Sequence, residues 1–491
     1  MERTTKRILA IVLVIAIAGA GIGIGVWYLT QEVGEAGWET PGVSGVPSDN
    51  WIRCGYLGGL RGIQGDGGWK GAWLAAYDIN TKDGGIQVGN ETYYIAVKAR
   101  DTNEHDPQIP ISTGLAAAEQ MIYVDEARYL FGGFRTEVTR AIVEVAMDED
   151  LIYYGCGAST DEFCVNVYNN YPRYKSYFRQ TPISSTFLAL EIIKGFCHVI
   201  NVMEANLSRR VNKIAIFREQ LDWTVGMSGL LNGLAAAVNY TVVYEVAYDI
   251  ANPDFETYWD LAEAAGAQIV VPVVSGDTGI TMMKQYGITR PHCLVFGIDV
   301  EGQMTTYWST TGGACNYQIF LTTLTPNCPV TPYSTTFYND YLTRYGIGPT
   351  IYTAPGTYDA VNTLAWAINQ SQSLDELDII AQLETLNRSA GVYLSGPRAV
   401  AARRLSYTQV GGGFPPSNPT AHDVEEGWPW GCTRFGQWQG GTIVCIPTGN
   451  GTLYTRGYPA GPYGDFSNLA LGVYPNSLAT GNIFLPYWGI N

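Results

Sequence analysis

Leu130–Ile142 reads LFGGFRTEVTRAI. A short apolar run stops at Gly132-Gly133. From Thr136 onward the pattern is helical, with Val138, Ile142 and Val145 returning to one face. A strand that passes through a glycine break into a helix is the half-unit of a parallel α/β sheet. Arg135 and Thr136 stand between the break and the helix. The first four backbone N–H groups of a helix have no intrahelical partner. A cation and a hydroxyl at that point therefore suit an anion, held without chemistry.

The same alternation extends in both directions. Upstream, WIRCGYLGGL reads as a strand ending in glycines, GWKGAWLAAYDIN as a helix, YYIAVKARD as a strand and TGLAAAEQMIYVD as a helix. Downstream come the strand DLIYYGCG and a polar loop. A second block follows Thr181-Pro182, with the strands NKIAIF, YTVVYEVAY, QIVVPVV and CLVFGID separated by helical stretches. Two α/β blocks of one design are expected, each a mainly parallel sheet flanked by helices. The chain from Gly411 is rich in Gly, Pro, Trp and Tyr, with short strand-like pieces such as GTIVCIP.

The 491 residues, 46% hydrophobic, suffice for two domains with their own cores. Net charge is −16 and no basic run follows the first seven residues, so no nucleic-acid partner is expected. The N-terminus carries Arg3, Lys6 and Arg7 before an uncharged apolar run from Ile8 to Leu29. As a helix that run spans roughly 33 Å, enough for a bilayer core. The flanking charges place residues 1–7 in the cytoplasm and 8–29 in the membrane as an anchor, the alternative being a cleaved signal segment. Residues 30–50, with their Gly, Pro, Ser and acidic content, read as a flexible tether. Everything beyond is expected on the extracytoplasmic side.

Nine cysteines and four histidines include no Cys-x-x-Cys pair, so neither a metal site nor a cofactor is expected. Three close pairs are candidate disulfides: Cys156 with Cys164, Cys315 with Cys328, and Cys432 with Cys445. Six sequons, at Asn90, Asn206, Asn239, Asn369, Asn387 and Asn450, fit a glycoprotein. No Gly-x-Ser-x-Gly, phosphate-loop or His-Glu-x-x-His signature occurs. A binding protein is expected rather than an enzyme, with a secreted hydrolase using remote carboxylates as the competing class.

Ligands of open parallel sheets meet the loops at the carboxyl ends of strands. YLFGG leads there to Arg135-Thr136, IYYGCG to Ala158-Ser159-Thr160, and LVFG to Ile298-Asp299. The first two loops suit a carboxylate and Asp299 suits an ammonium, which together describe an amino acid gripped between two lobes.

WIRCGYLGGLRGIQGDGGWKGAWLAAYDINTKDGGI resembles the opening of the branched-chain amino-acid-type (leucine/isoleucine/valine-binding) substrate-binding proteins of ABC transporters. ARYLFGGFRTEVTRAIVEVA, DLIYYGCGASTDEF, YKSYFRQTP, LVFGIDVEGQ and GTYDAVNTLAWAI follow in that family's order. The resemblance covers about 51–491. It implies a two-lobed, type I periplasmic-binding-protein-like fold, with lobe 1 from 51–181 and 320–395 and lobe 2 from 182–319 and 396–491, joined by three crossing strands.

By position, the resemblance implies that Thr136, Gly157 and Ser159 bind the ligand carboxylate. It gives the ammonium to Asp299, the cover to Trp223 and a cleft-facing place in the first loop to Gln64. Arg135 departs from the family pattern and would favour a second acidic group. The implied partners are a small amino-acid-like solute, an ABC permease and its separate ATPase. A sensor ectodomain of the same fold is the alternative.

Overall fold

The computed structural model describes residues 37–237, 240–326, 328–387, 398–402, 405–409, 419–427, 430–431, 433–448, 479–487 and 489–490. The expected membrane run at 8–29 and Cys432 lie outside the described residues.

The first lobe is built from β1 (Trp51–Gly58), α1 (Ile63–Thr81), β2 (Ile86–Val88), β3 (Glu91–Asp101), α2 (Ile111–Glu119), β4 (Tyr129–Gly132), α3 (Thr136–Asp148), β5 (Ile152–Gly155), α4 (Glu162–Asn169) and β6 (Tyr177–Arg179). Its strands lie in the order β2-β3-β1-β4-β5-β6. All neighbours are parallel except the β2–β3 hairpin. Leu130, Phe131, Tyr153 and Tyr154 are all buried, the continuous burial expected where helices cover both faces.

The second lobe contributes α5 (Ser185–Leu207), β7 (Lys213–Glu219), α6 (Asp222–Ala237), β8 (Thr241–Tyr248), α7 (Phe255–Ala264), β9 (Ile269–Val274), α8 (Thr278–Thr289), β10 (Leu294–Asp299) and β11 (Ile319–Thr322). The chain then returns to the first lobe through α9 (Ser334–Tyr345), α10 (Thr353–Ser371) and α11 (Glu376–Leu383). β12 (Arg434–Gln439) and β13 (Thr442–Cys445) close the second sheet, whose order is β13-β12-β11-β10-β9-β7-β8. The pairs β11–β12 and β12–β13 are antiparallel.

α10 docks directly on α1. A Cβ on Gly71 would lie 2.2 Å from Ala354 O, so only glycine permits that approach. The buried Tyr358–Asp78 hydrogen bond of 2.8 Å fixes the pair.

Two boundaries differ from the expected ones. β11 pairs with β10, so the chain leaves the second sheet after Thr322 and not at residue 319. Residues 405–409 and 419–426 were expected in lobe 2, but they run beside β6, where Arg179 N donates to His422 O at 2.9 Å and Val424 N to Arg179 O at 3.1 Å. The polar sequence of this stretch hid a structural role: it completes the first sheet's edge.

The cysteine pairing also differs. Among the described residues no disulfide is present. Cys156 packs in the core that also holds Tyr154 and Phe178, whereas Cys164 packs in the core with Tyr153 and Tyr177, on the other face of the sheet. Cys315 and Cys328 are likewise divided between the two faces of the second sheet. Closeness in sequence cannot bring sulfurs together through a sheet. α5 is the one described helix long and apolar enough to cross a membrane, and 72% of its apolar window is buried inside the second lobe.

Candidate functional site

The carboxyl ends of β4, β5, β7, β9 and β10 meet in the crevice between the lobes. Gly132 and Gly133 have φ of +121° and +79°. A Cβ on Gly132 would lie 2.0 Å from Leu57 O. Only glycine makes that turn, and it sets Arg135 at the N-cap of α3. The space between its walls, counting the part open to solvent, is about 530 Å³. Phe134, Ile183, Leu188, Trp223, Ile298 and Tyr352 give it apolar sides. Arg135, Ser159, Ser275, Gln303 and Thr322 are its chief polar groups. Among the described residues, Arg135 is the only charged one that lines it.

The lobes touch across this crevice. Arg135 Nη1 donates to Ser275 Oγ at 2.9 Å and lies 3.7 Å from Glu219 Oε2. Gln64 Nε2 donates to Ser275 O at 2.6 Å. Within the first lobe, Tyr352 OH donates to Gly157 O at 2.9 Å. Toward the rim, Arg140 reaches Asp222 at 3.1 Å and Asp222 N donates to Glu137 Oε1 at 3.1 Å.

Glu219, fully buried at the end of β7, accepts from Ser275 N at 2.9 Å, Gly276 N at 3.0 Å and Ser275 Oγ. It is therefore satisfied by its own lobe before Arg135 arrives. Arg135 spends two of its five N–H donors on Ser275 Oγ and on Glu104 O at 3.3 Å. Three donors remain on Nη1 and Nη2, and Arg135 lines the crevice beside Gly276.

The expected residues divide into two groups. Arg135, Gly157, Ser159 and Trp223 line the crevice together. Gln64, Thr136 and Asp299 do not line it. Gln64 is an interlobe clasp. Thr136 is buried at the first turn of α3, and its Oγ1 has no hydrogen-bond partner. Asp299 turns into the second lobe, where it accepts from Tyr307 OH and Gln318 Nε2, both at 2.6 Å. Burial pushes its carboxyl up to about 6 against those hydrogen bonds. The ammonium role expected for Asp299 does not fit this placement. Substituting Asp299 with Asn should leave ligand affinity within about threefold, since the side chain does not touch the crevice. It should lower stability by roughly 1–3 kcal/mol through the disturbed Tyr307 and Gln318 contacts. Calorimetric titration and urea unfolding of the variant check both.

An internal group faces the N-terminus of α3. Glu104, fully buried, lies near the backbone N–H groups of Phe134 and Arg135, yet neither carboxyl oxygen has a partner in hydrogen-bond geometry. Burial raises its pKa from 4.5 to about 8, with the Glu137 charge adding to the rise and Arg135 opposing it. Between those values the folded chain holds a proton that the unfolded chain has released. Stability therefore falls as pH climbs from about 4.5 to about 8, by on the order of 4 kcal/mol from this group. Glu104→Gln should flatten that part of a stability-versus-pH curve measured by urea unfolding; an unchanged slope would assign it to other groups.

Sequence reading missed Glu219, Ser275 and Tyr352. An acid ending the strand KIAIFRE was the available signal for the first. Tyr352 comes from the return of the chain to lobe 1 and has no local signature.

No curated protein matches the chain. Among solved structures, a solute-binding protein of an ABC transporter from R. palustris, in complex with benzoate, is similar at TM-score 0.61 and 14% identity, covering 80% of this chain and 95% of that one. A leucine-binding protein from Thermotoga maritima gives TM-score 0.60 and 15% identity over 80% and 97% of the chains. A branched-chain amino acid transporter substrate-binding protein from Streptococcus pneumoniae, in complex with isoleucine, gives the same TM-score, identity and coverages. At these identities the likeness concerns the fold. The family model described as periplasmic binding protein matches residues 54–409, well over half the chain. With its two sheets and the crevice between them, the chain belongs to the periplasmic binding protein family, in its leucine/isoleucine/valine-binding branch.

Proposed function

We propose that this chain is the extracytoplasmic solute-binding component of an ABC transporter, and that its ligand is a small carboxylate with an apolar aromatic or branched body. Residues 8–29 tether it to the membrane, and the closed form delivers the solute to a permease driven by a separate ATPase. Family membership supports the transport role. One observation carries the ligand class: among the described residues, Arg135 is the only charged one on the crevice walls, with N–H donors to spare, and no acid lines them. Glu219 is already satisfied, Asp299 faces away and Glu104 is buried, so an ammonium has no carboxylate to meet. An unpaired ammonium brought out of water costs several kcal/mol. A carboxylate takes the Arg135 donors and Ser159, while Phe134, Trp223 and Tyr352 cover the apolar body. Two of the similar solved proteins carry benzoate and isoleucine, so both kinds of ligand suit this fold. A thermal-shift screen over aromatic carboxylates, branched carboxylates, amino acids and amides tests the reading. The largest shifts are expected from the simple carboxylates, and shifts confined to amides or amino acids would refute it.

A further inference from the structure

The second crossing between lobes, residues 323–333, carries Cys328, and β13 ends on Cys445. Their Sγ atoms are 3.6 Å apart, although 117 positions separate them in sequence. Both residues are buried. Beside them stands Arg434, fully buried on β12, with none of its three side-chain nitrogens in a hydrogen bond. Glu191, fully buried with neither carboxyl oxygen in a hydrogen bond, and Asp359, which accepts from Val400 N at 2.7 Å and Ala401 N at 2.9 Å, are within electrostatic reach of Arg434. Cys328 is a third group within its reach. Contact with the Cys445 sulfur, then the Arg434 charge, pulls the Cys328 thiol down to about 6 against the effect of burial.

We propose that Cys328 and Cys445 form a reversible disulfide that ties the second interlobe crossing to the end of β13, and that the buried Arg434 beside Cys328 makes this bond easy to reduce. The Cys328 thiolate attacks an external disulfide; that S–S bond breaks and one of its sulfurs leaves as a thiolate. Cys445 then gives up its proton and attacks the mixed disulfide at Cys328, closing the Cys328–Cys445 bond and expelling the second external sulfur. The pair loses two electrons and the one proton of Cys445; the external disulfide gains both, and a second proton from water completes its two thiols. Since both sulfurs are buried, exchange takes place before the crossing docks or during its local opening. Stabilisation of the reduced form makes the disulfide the more oxidising partner. In the oxidised chain the crossing is pinned five residues after it leaves β11, which shortens the segment free to bend when the lobes part.

The test is non-reducing peptide mapping of the full chain after equilibration with oxidised glutathione and alkylation. The expected product is one cross-linked peptide pair holding Cys328 and Cys445. Millimolar reduced glutathione should open it and lower the melting temperature by on the order of 5 °C. Cys328→Ser and Cys445→Ser should each abolish the glutathione-dependent shift. Full alkylation of both cysteines in the oxidised sample, a Cys432–Cys445 linkage, or a bond that resists reduced glutathione would overturn the proposal.

Discussion

Arg135→Ala is expected to weaken carboxylate binding by on the order of 100-fold, about 3 kcal/mol, the loss of charge-assisted hydrogen bonds in a desolvated site. The same change removes the only cation near Glu219, 3.7 Å away. Glu219 keeps its bonds to Ser275 N and Gly276 N, so the second lobe stays folded while the closed form loses a crossing contact. Arg135→Lys should recover only part of the binding, because an ammonium cannot present the planar fork that a carboxylate matches. Glu219→Gln provides the contrast. It removes the internal competitor for Arg135, and carboxylate affinity should hold or rise. Calorimetric titration of the three variants against one aromatic carboxylate separates the roles. Equal losses in Arg135→Ala and Glu219→Gln would mean that the pair acts as a structural clasp and does not engage the ligand.

Arg179→Met should produce the largest loss of stability, roughly 3–5 kcal/mol. Arg179 is fully buried at the end of β6. Its Nε donates to Asp423 Oδ1 at 2.7 Å and its Nη2 to Asp423 Oδ2, the paired geometry in which both groups are charged. Its Nη1 donates to Ser159 O at 2.9 Å and Thr160 O at 2.7 Å. One guanidinium therefore fastens residues 419–426 to the first sheet through Asp423 and contacts the loop that presents Ser159 to the crevice. Removing it leaves Asp423 buried without a counter-charge and frees that loop. Ligand affinity should fall along with stability. The double variant Arg179→Met/Asp423→Leu should regain part of the stability, since no charge is then stranded, but not the affinity, because Thr160 O still lacks its Arg179 donor and Ser159 O keeps only those of Ser185. Urea unfolding and titration on the same samples distinguish the two effects. Unaltered unfolding in Arg179→Met would remove the residue from the fastening role.

The strands and helices of both sheets were legible because their signal is periodic. Val138 and Ile142 are fully buried on α3, as their spacing requires, and the glycine break at Gly132-Gly133 is the turn it suggested. The site was legible only in part, for a reason that lies in strand geometry. Successive side chains point to opposite faces. At the end of β10, Ile298 lines the crevice while Asp299 points to the other face and Tyr307. The correct loop was found and the side chain was off by one. Cys156 and Cys164 are divided by the sheet itself: Cys156 follows β5 into one core and Cys164 lies on α4, which packs in the other. Glu219 and Tyr352 entered from strands and helices far from Arg135 in sequence, and no local pattern announces such a meeting. Glu104 is the subtlest case. The anion expected at the start of α3 has an internal counterpart there, a buried carboxyl that a reading of loops alone does not connect to Arg135.

Leucine and 4-methylpentanoate have the same carbon skeleton and carboxylate and differ in one ammonium group. Isothermal titration of the purified chain with each, side by side at pH 7, bears most directly on a crevice that offers one guanidinium and no unengaged acid. The account predicts that 4-methylpentanoate binds at least tenfold more tightly than leucine. Leucine binding as tightly as, or more tightly than, its ammonium-free counterpart would contradict it.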